Sequence, residues 1–262
     1  MSLDDSATGN VFLDSLPENT RRHIQKRAAT VALSVRDAVY HKGGSVDYAY
    51  FPIEGIISNV STMKDGDSIE VGIVGREGMT GFPLLLTGAT SASNLYAQIS
   101  GTSLRISGAA MVEIIGDGLA SRRPFDMYAE AILDSVSQYA ACNRLHTIQQ
   151  RFARWLVMAH DRVRGDDIPL TQEFLSLMLG VRRAGVTLAA STLQQAGLIK
   201  YTRGRIVVRD RERLQACACE CYDTVEDRCK ELVGFSIRKH RVALAKERTV
   251  RVEAGRSRPT SR

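Results

Sequence analysis

Between about Thr30 and Ser107 the apolar positions fall in short β-rich runs broken by Gly and Asp. These are Val31–Val35, Ala38–His41, Tyr48–Pro52, Gly55–Met63, Ser68–Val74, Asn94–Ser100 and Ser103–Ile106. Asp65-Gly66 separates two of them, and that dipeptide favours a tight hairpin because Gly tolerates positive φ. Several short strands at roughly ten-residue spacing predict an antiparallel sandwich, roll or barrel. Ahead of them, residues 1–10 are polar and predicted disordered. Pro17-Glu18 opens a helix through Arg21–Arg27, with Ser15 as its expected cap.

After Gly108 the period becomes helical. Ala109–Ile115 predicts one short helix. From Pro124 to Leu145, Phe125, Tyr128, Ile132, Val136, Tyr139 and Cys142 or Asn143 recur at three- and four-residue steps. That helix is long for a small β domain; it either belongs to the core or pairs with its copy in a second subunit. A further helix over Ile148–Val163 places Phe152, Trp155, Leu156 and Ala159 on one face, and Arg164–Pro169 reads as a turn.

The segment from Leu170, LTQEFLSLMLGVRRAGVTLAASTLQQAGLIKYTRGRIVVRD, carries the most specific pattern. Thr171 caps a helix to about Leu179 whose apolar face is Leu175, Met178 and Leu179. Gly180 suits a tight inter-helix turn. A second helix over Arg182–Gln195 turns Val186, Ala189 or Ala190, and Leu193 inward. Leu198–Tyr201 and Arg205–Arg209 then form a hairpin around Thr202-Arg203-Gly204. Helix, Gly turn, helix and basic hairpin together describe a winged helix-turn-helix, whose second helix enters the DNA major groove. Arg182 and Arg183 stand at the end that reaches base edges, where Arg pairs bidentately with guanine. Thr187 and Ser191 follow at one-turn intervals. Arg203 and Arg205 are expected on phosphates, with Thr171, Gln172 and Thr202 completing the DNA-facing set.

Charge sharpens this picture. The chain of 262 residues has a net charge of +6. Thr171–Arg209 holds Arg182, Arg183, Lys200, Arg203, Arg205 and Arg209 against Glu173 alone, and Ser236–Arg262 is also strongly basic. The rest is acidic overall, as expected of a body carrying a polyanion-binding module. The tail Ala254–Arg262 reads as a solvated, disordered run. Apolar runs such as Leu84–Leu86 are far shorter than a membrane span needs. No apolar leader opens the chain, and five cysteines are too few for a disulfide scaffold, so a cytoplasmic chain without a membrane partner is expected.

On these motifs the chain resembles the Crp/Fnr family of bacterial transcription regulators over about Val11–Cys221. The carrying segments are LTQEFLSLMLGVRR, VTLAASTLQQAGLI and RGRIVV in the C-terminal half. In the β region they are VYHKGGSVDYAYFPIEGIISNV, KDGDSIEVGIVGREGMTG and YAQISGTSLRIS. The resemblance implies a cyclic-nucleotide-binding-type roll, a long dimerisation helix and a winged helix, acting as a homodimer on a two-fold site in double-stranded DNA. RNA polymerase is a further partner open to a regulator of this kind. The expected fold class is α+β: an N-terminal antiparallel β-roll (double-stranded, jelly-roll-like), a long central dimerisation helix and a C-terminal winged helix-turn-helix. The expected divisions are 11–123, 124–146, 147–221 and a helical extension with basic tail over 222–262.

The chain departs from the family twice. Where many members carry Arg-Glu-x-x-x-Arg, it has Arg183, Ala184 and Leu188, so the family's best-known target does not transfer. The phosphate cassette of family cyclic-nucleotide binders is also absent: Phe82 follows Gly81, and no charged residue lies between Gly78 and Leu104. A phosphate there would lack its Arg contact, leaving the backbone amides of Gly78–Gly81 as the remaining anion ligands and the effector undefined.

Cys217, Cys219 and Cys221 with Cys229 invite a metal, and some family members sense through clusters. Read as one helix over Glu212–Val233, however, the segment points Cys219 away from 217 and 221, and Cys-x-x-Cys is missing. Histidines 23, 41, 146, 160 and 240 show no ligand spacing. No metal, cofactor or catalytic constellation is therefore expected. Two other readings stand beside DNA binding: an adaptor whose winged helix contacts protein, and a redox or metal sensor.

Overall fold

The computed structural model describes residues 7–86 and 90–238. Two short helices, α1 (Val11–Ser15) and α2 (Glu18–Arg27), precede the strands. Residues 7–10, expected disordered, are instead anchored. Buried Asn10 caps α1 through the Leu13 amide and donates to the carbonyls of Pro52 and Gly78. Ser15 does not cap α2; its hydroxyl donates to the Phe12 carbonyl and closes α1.

The strands are β1 (Ala29–Leu33), β2 (Ala38–Tyr40), β3 (Tyr48–Pro52), β4 (Ile56–Thr62), β5 (Ser68–Val74), β6 (Asn94–Ile99) and β7 (Gly101–Ser107). They pair antiparallel in two sheets ordered β1-β7-β3 and β2-β6-β4-β5. Tyr50 from the first sheet packs with Tyr40, Ile57 and Leu95 of the second in one core. A second core joins Ala49, Phe51 and Ile106 to Phe12, Leu13, Ile24, Met111, Phe125 and Tyr128. Those side chains come from α1, α2, α4 (Gly108–Gly116) and α5 (Leu119–Leu145). A short helix, α3 (Phe82–Leu86), was not evident in the apolar pattern.

Helix α5 starts five residues before Pro124, where the sequence placed its first turn. Pro124 is the sixth residue of α5, past the leading N–H groups, so the helix forgoes one bond, to the Ala120 carbonyl, at that point. The burial of Phe125 and Tyr128 in the roll holds the helix there. The periodic face Phe125, Tyr128, Tyr139 and Cys142 is buried within the chain and is not free for a second copy. Leu133 and Val136 lie instead on an exposed side, 57% and 37% accessible.

The second half comprises α6 (Ile148–Arg162), β8 (Asp167–Pro169), α7 (Gln172–Leu179), α8 (Arg183–Gln195), β9 (Ile199–Thr202) and β10 (Arg205–Val208). Two more helices, α9 (Arg211–Ala216) and α10 (Cys221–Val233), complete it. The stretch expected as a turn before Leu170 contributes β8, which pairs with β10 in the sheet β8-β10-β9 because Ile168 is fully buried. α6 was expected to bury one face, but every residue from Arg151 to Arg162 is buried. It lies between the roll and the winged helix, whose common core runs from Ile56, Ile73 and Ile99 to Phe152, Leu175, Val186 and Ile206. Two of its charged residues are paired: Arg162 with Glu77 at 2.8 Å, and Asp161 with Arg211 at 2.8 Å and the Tyr222 hydroxyl at 2.6 Å.

The single helix expected over Glu212–Val233 is broken between α9 and α10. The ground for turning Cys219 away from Cys221 therefore fails: both are buried in one cluster with Cys142. Basic residues beyond Arg238, including the tail Ala254–Arg262, lie outside the described residues.

Candidate nucleic-acid interface

The two helices of the motif are set by local chemistry. The Thr171 hydroxyl accepts from the Phe174 amide and caps α7. Gly180 then takes φ +60, and a Cβ there would meet the Ile69 side chain at 2.9 Å, so both conformation and space favour Gly. The buried Arg151 guanidinium donates to the Leu179 carbonyl, satisfying a bare helix end. α8 leaves at 102° to α7, within the range of a helix-turn-helix. Val186, Ala189, Ala190 and Leu193 are buried as the pattern required.

The opposite face of α8 is exposed and carries Arg183, Ala184, Thr187, Leu188 and Ser191. Arg182 occupies the N-cap position without a side-chain cap bond. Among the described residues Arg182, Arg183 and Arg203 form no ion pair, so their charge is available to a polyanion. Arg205 differs: it pairs with Asp167 at 3.1 Å, which weakens its claim as a phosphate ligand. The Thr187 hydroxyl donates to the Arg183 carbonyl and keeps acceptor capacity. Leu188 is 72% exposed, an apolar group where the family pattern has a second Arg. Thr202, Arg203 and Arg205 surround the β9–β10 turn, and Gln194 fixes the wing to α8 by accepting from the Tyr201 amide at 2.7 Å. Gln172 is the first residue of α7 and is exposed. The sequence-predicted residues thus lie along the exposed face of α8 and around the wing turn, with Gln172 in the first turn of α7 and Thr171 acting as its cap.

This unit is clamped to the roll through buried polar contacts that sequence reading missed. Glu70 of β5 accepts from the Trp155 indole at 2.7 Å and the Ser58 hydroxyl at 2.5 Å. Burial pushes its carboxyl up to about 7, against the opposing pull of those bonds and of Arg154 and Arg162. The signal was an isolated acid within an apolar strand, which alone does not tell an edge from a buried ladder.

The cassette loop is closed from within. The amide of Gly78 donates to Gly75, that of Thr80 to Tyr50, and that of Met79 to the Tyr128 hydroxyl at 3.0 Å. The same hydroxyl donates back to the Met79 carbonyl at 3.1 Å. A Cβ on Gly78 would lie 2.2 Å from it, so the phenol fits only against a bare backbone. The loop amides expected to remain for an anion are thus occupied at Gly78, Met79 and Thr80.

Residues 30–117 match the cyclic nucleotide-binding domain model, and residues 150–217 match the Crp-like helix-turn-helix domain model. No curated protein matches the sequence. Among solved structures, FixK2 from Bradyrhizobium japonicum superposes with a TM-score of 0.64 at 17% identity, over 73% of this chain and 98% of its own. A putative Crp/Fnr-family regulator from Eubacterium rectale gives 0.63 at 14% identity, over 80% and 99%. CLP from Xanthomonas campestris, described as a c-di-GMP responsive global regulator, gives 0.56 at 18% identity, over 73% and 99%. The chain belongs to the Crp/Fnr family: it joins a cyclic nucleotide-binding-type roll and a Crp-like helix-turn-helix through a long helix.

Proposed function

We propose that this chain is a sequence-specific DNA-binding transcription regulator that works as a homodimer and is not an enzyme. The observation that carries this reading is the row of unpaired guanidinium groups, Arg182 and Arg183, at the N-terminal end of a fully exposed helix face. α8 enters the major groove with Arg183 on base edges. Thr187 and Ser191 follow along the groove, Leu188 meets a thymine methyl, and Arg203 holds phosphate. Gln172, Thr202 and Arg205 lie at the margin of this footprint.

Two copies meet through the exposed side of α5 around Leu133, Val136 and Ala140. That spaces the recognition helices for half-sites about 34 Å apart. The roll does not respond to a simple cyclic nucleotide, because Tyr128 fills the phosphate loop and no charged residue lies between Gly78 and Leu104. An effector of another kind would have to bind one dimer arrangement better than the other.

The test is duplex binding as a function of salt, followed by footprinting. A steep fall of affinity with salt and a protected two-fold site are expected. A chain that binds no duplex at low salt is an adaptor instead.

A further inference from the structure

At the junction of α5 and α6, four metal-ligating side chains converge. Cys142 comes from the last turn of α5 and His146 is its C-cap residue, while Cys219 comes from the α9–α10 break and Cys221 opens α10. One ligand atom from each lies within 4.8 Å of every other. The Cys142 and Cys219 sulfurs are 3.4 Å apart, and the Cys221 sulfur is 3.5 Å from His146 Nδ1. Zinc–sulfur bonds of about 2.3 Å in a tetrahedron place ligand atoms about 3.8 Å apart. The two short edges lie close to that value, and the 4.8 Å limit on the others fits a mononuclear site. An iron–sulfur cluster inserts iron and sulfide atoms between its thiolates and needs a wider cage.

The surroundings support the same chemistry. His146 Nε2 faces Glu220 at 3.2 Å. A carboxylate there fixes the proton on Nε2 and leaves Nδ1 as the ligand. Gln138 donates to the Cys221 sulfur at 3.0 Å. Arg151 and Arg154 lie within electrostatic reach of Cys142 and Cys219, which suits the net negative charge of three thiolates around a divalent ion. The cysteines are reduced and make a buried cluster of their own, apart from the aliphatic cores. Ordinary packing of small thiols would disperse them among aliphatic neighbours and would not turn an imidazole nitrogen towards them. One disulfide would leave a thiol and the imidazole unused.

We propose that Cys142, His146, Cys219 and Cys221 bind one zinc ion in a closed, structural Cys3His site that ties the end of the long helix to the C-terminal helices. The ligands span 79 residues of sequence, so the ion would staple the winged helix-turn-helix to α5 beside the α5–α6 joint. It fixes that joint by coordination, whether or not the chain reads DNA.

The full-length chain, purified without chelator or affinity metal, is assayed for metals by elemental mass spectrometry. About one zinc per chain and no stoichiometric iron are expected. Cys142→Ser and Cys219→Ser should each lose most of the zinc, while Cys229→Ser, outside the cluster, should keep it. If the serine variants fail to fold, wild-type protein stripped by a strong chelator and reloaded with cobalt decides the matter. Intense visible bands of tetrahedral cobalt thiolate support the site. Three results overturn it: no zinc bound even after anaerobic reconstitution, stoichiometric iron with acid-labile sulfide, or an intact mass showing a Cys142–Cys219 disulfide.

Discussion

Arg183 on α8 and Arg203 at the wing turn are expected to do different work. Arg183 on the groove-facing helix should discriminate bases, so Arg183→Ala is expected to cost about 1–3 kcal/mol on the cognate site and to relax one base position. Arg203→Ala should weaken all duplexes alike and flatten the salt slope. Competition binding on base-substituted sites separates the two, and identical behaviour would refute this placement of α8. Glu70 carries a pH prediction. Its folded carboxyl titrates near 7 while the unfolded one stays in the normal carboxylate range. The native state therefore binds the extra proton between those values, and stability falls as pH rises through that window. Urea midpoints should drop from pH 5.5 to 8, and Glu70→Gln should remove much of that slope. An unchanged slope would place the titration elsewhere.

Among the elements, the turn at Gly180 does two things at once. It adopts a left-handed backbone, and its bare Cα lets the α7–α8 corner sit against Ile69 of β5. Gly180→Ala is expected to lower stability by about 1 kcal/mol or more, read from denaturant unfolding. A neutral result would mean that the corner and β5 separate freely. The elements were largely legible where one face is buried and one is wet. β3 and β5 fall where their β-rich runs put them, although β3 is buried on both faces, and the α7 and α8 faces match residue by residue. Periodicity failed where packing is two-sided or ends are decided remotely. α6 is buried all round, β8 is three residues long, and the α9–α10 break carries no Gly or Pro signal.

For the whole molecule, the prediction is dimerisation through the side of α5 that the chain leaves open. At 27 residues, α5 is about 40 Å long, enough to present a continuous seam to a twin. Leu133→Glu should raise the dimer dissociation constant strongly and leave the monomer folded, as sedimentation and circular dichroism would report. A variant still dimeric at the lowest measurable concentration would move the interface elsewhere.

The sequence by itself determined the order of roll, long helix and winged motif, because amphipathic period and turn chemistry are local. It also marked the basic end of α8, since a cluster of arginines beside a single acid is visible without coordinates. Only the tertiary structure decided which face of α5 is occupied, that Tyr128 closes the cassette loop, and that Cys142 and His146 meet Cys219 and Cys221. Each of these depends on contacts between segments far apart in the chain, and no local spacing encodes them.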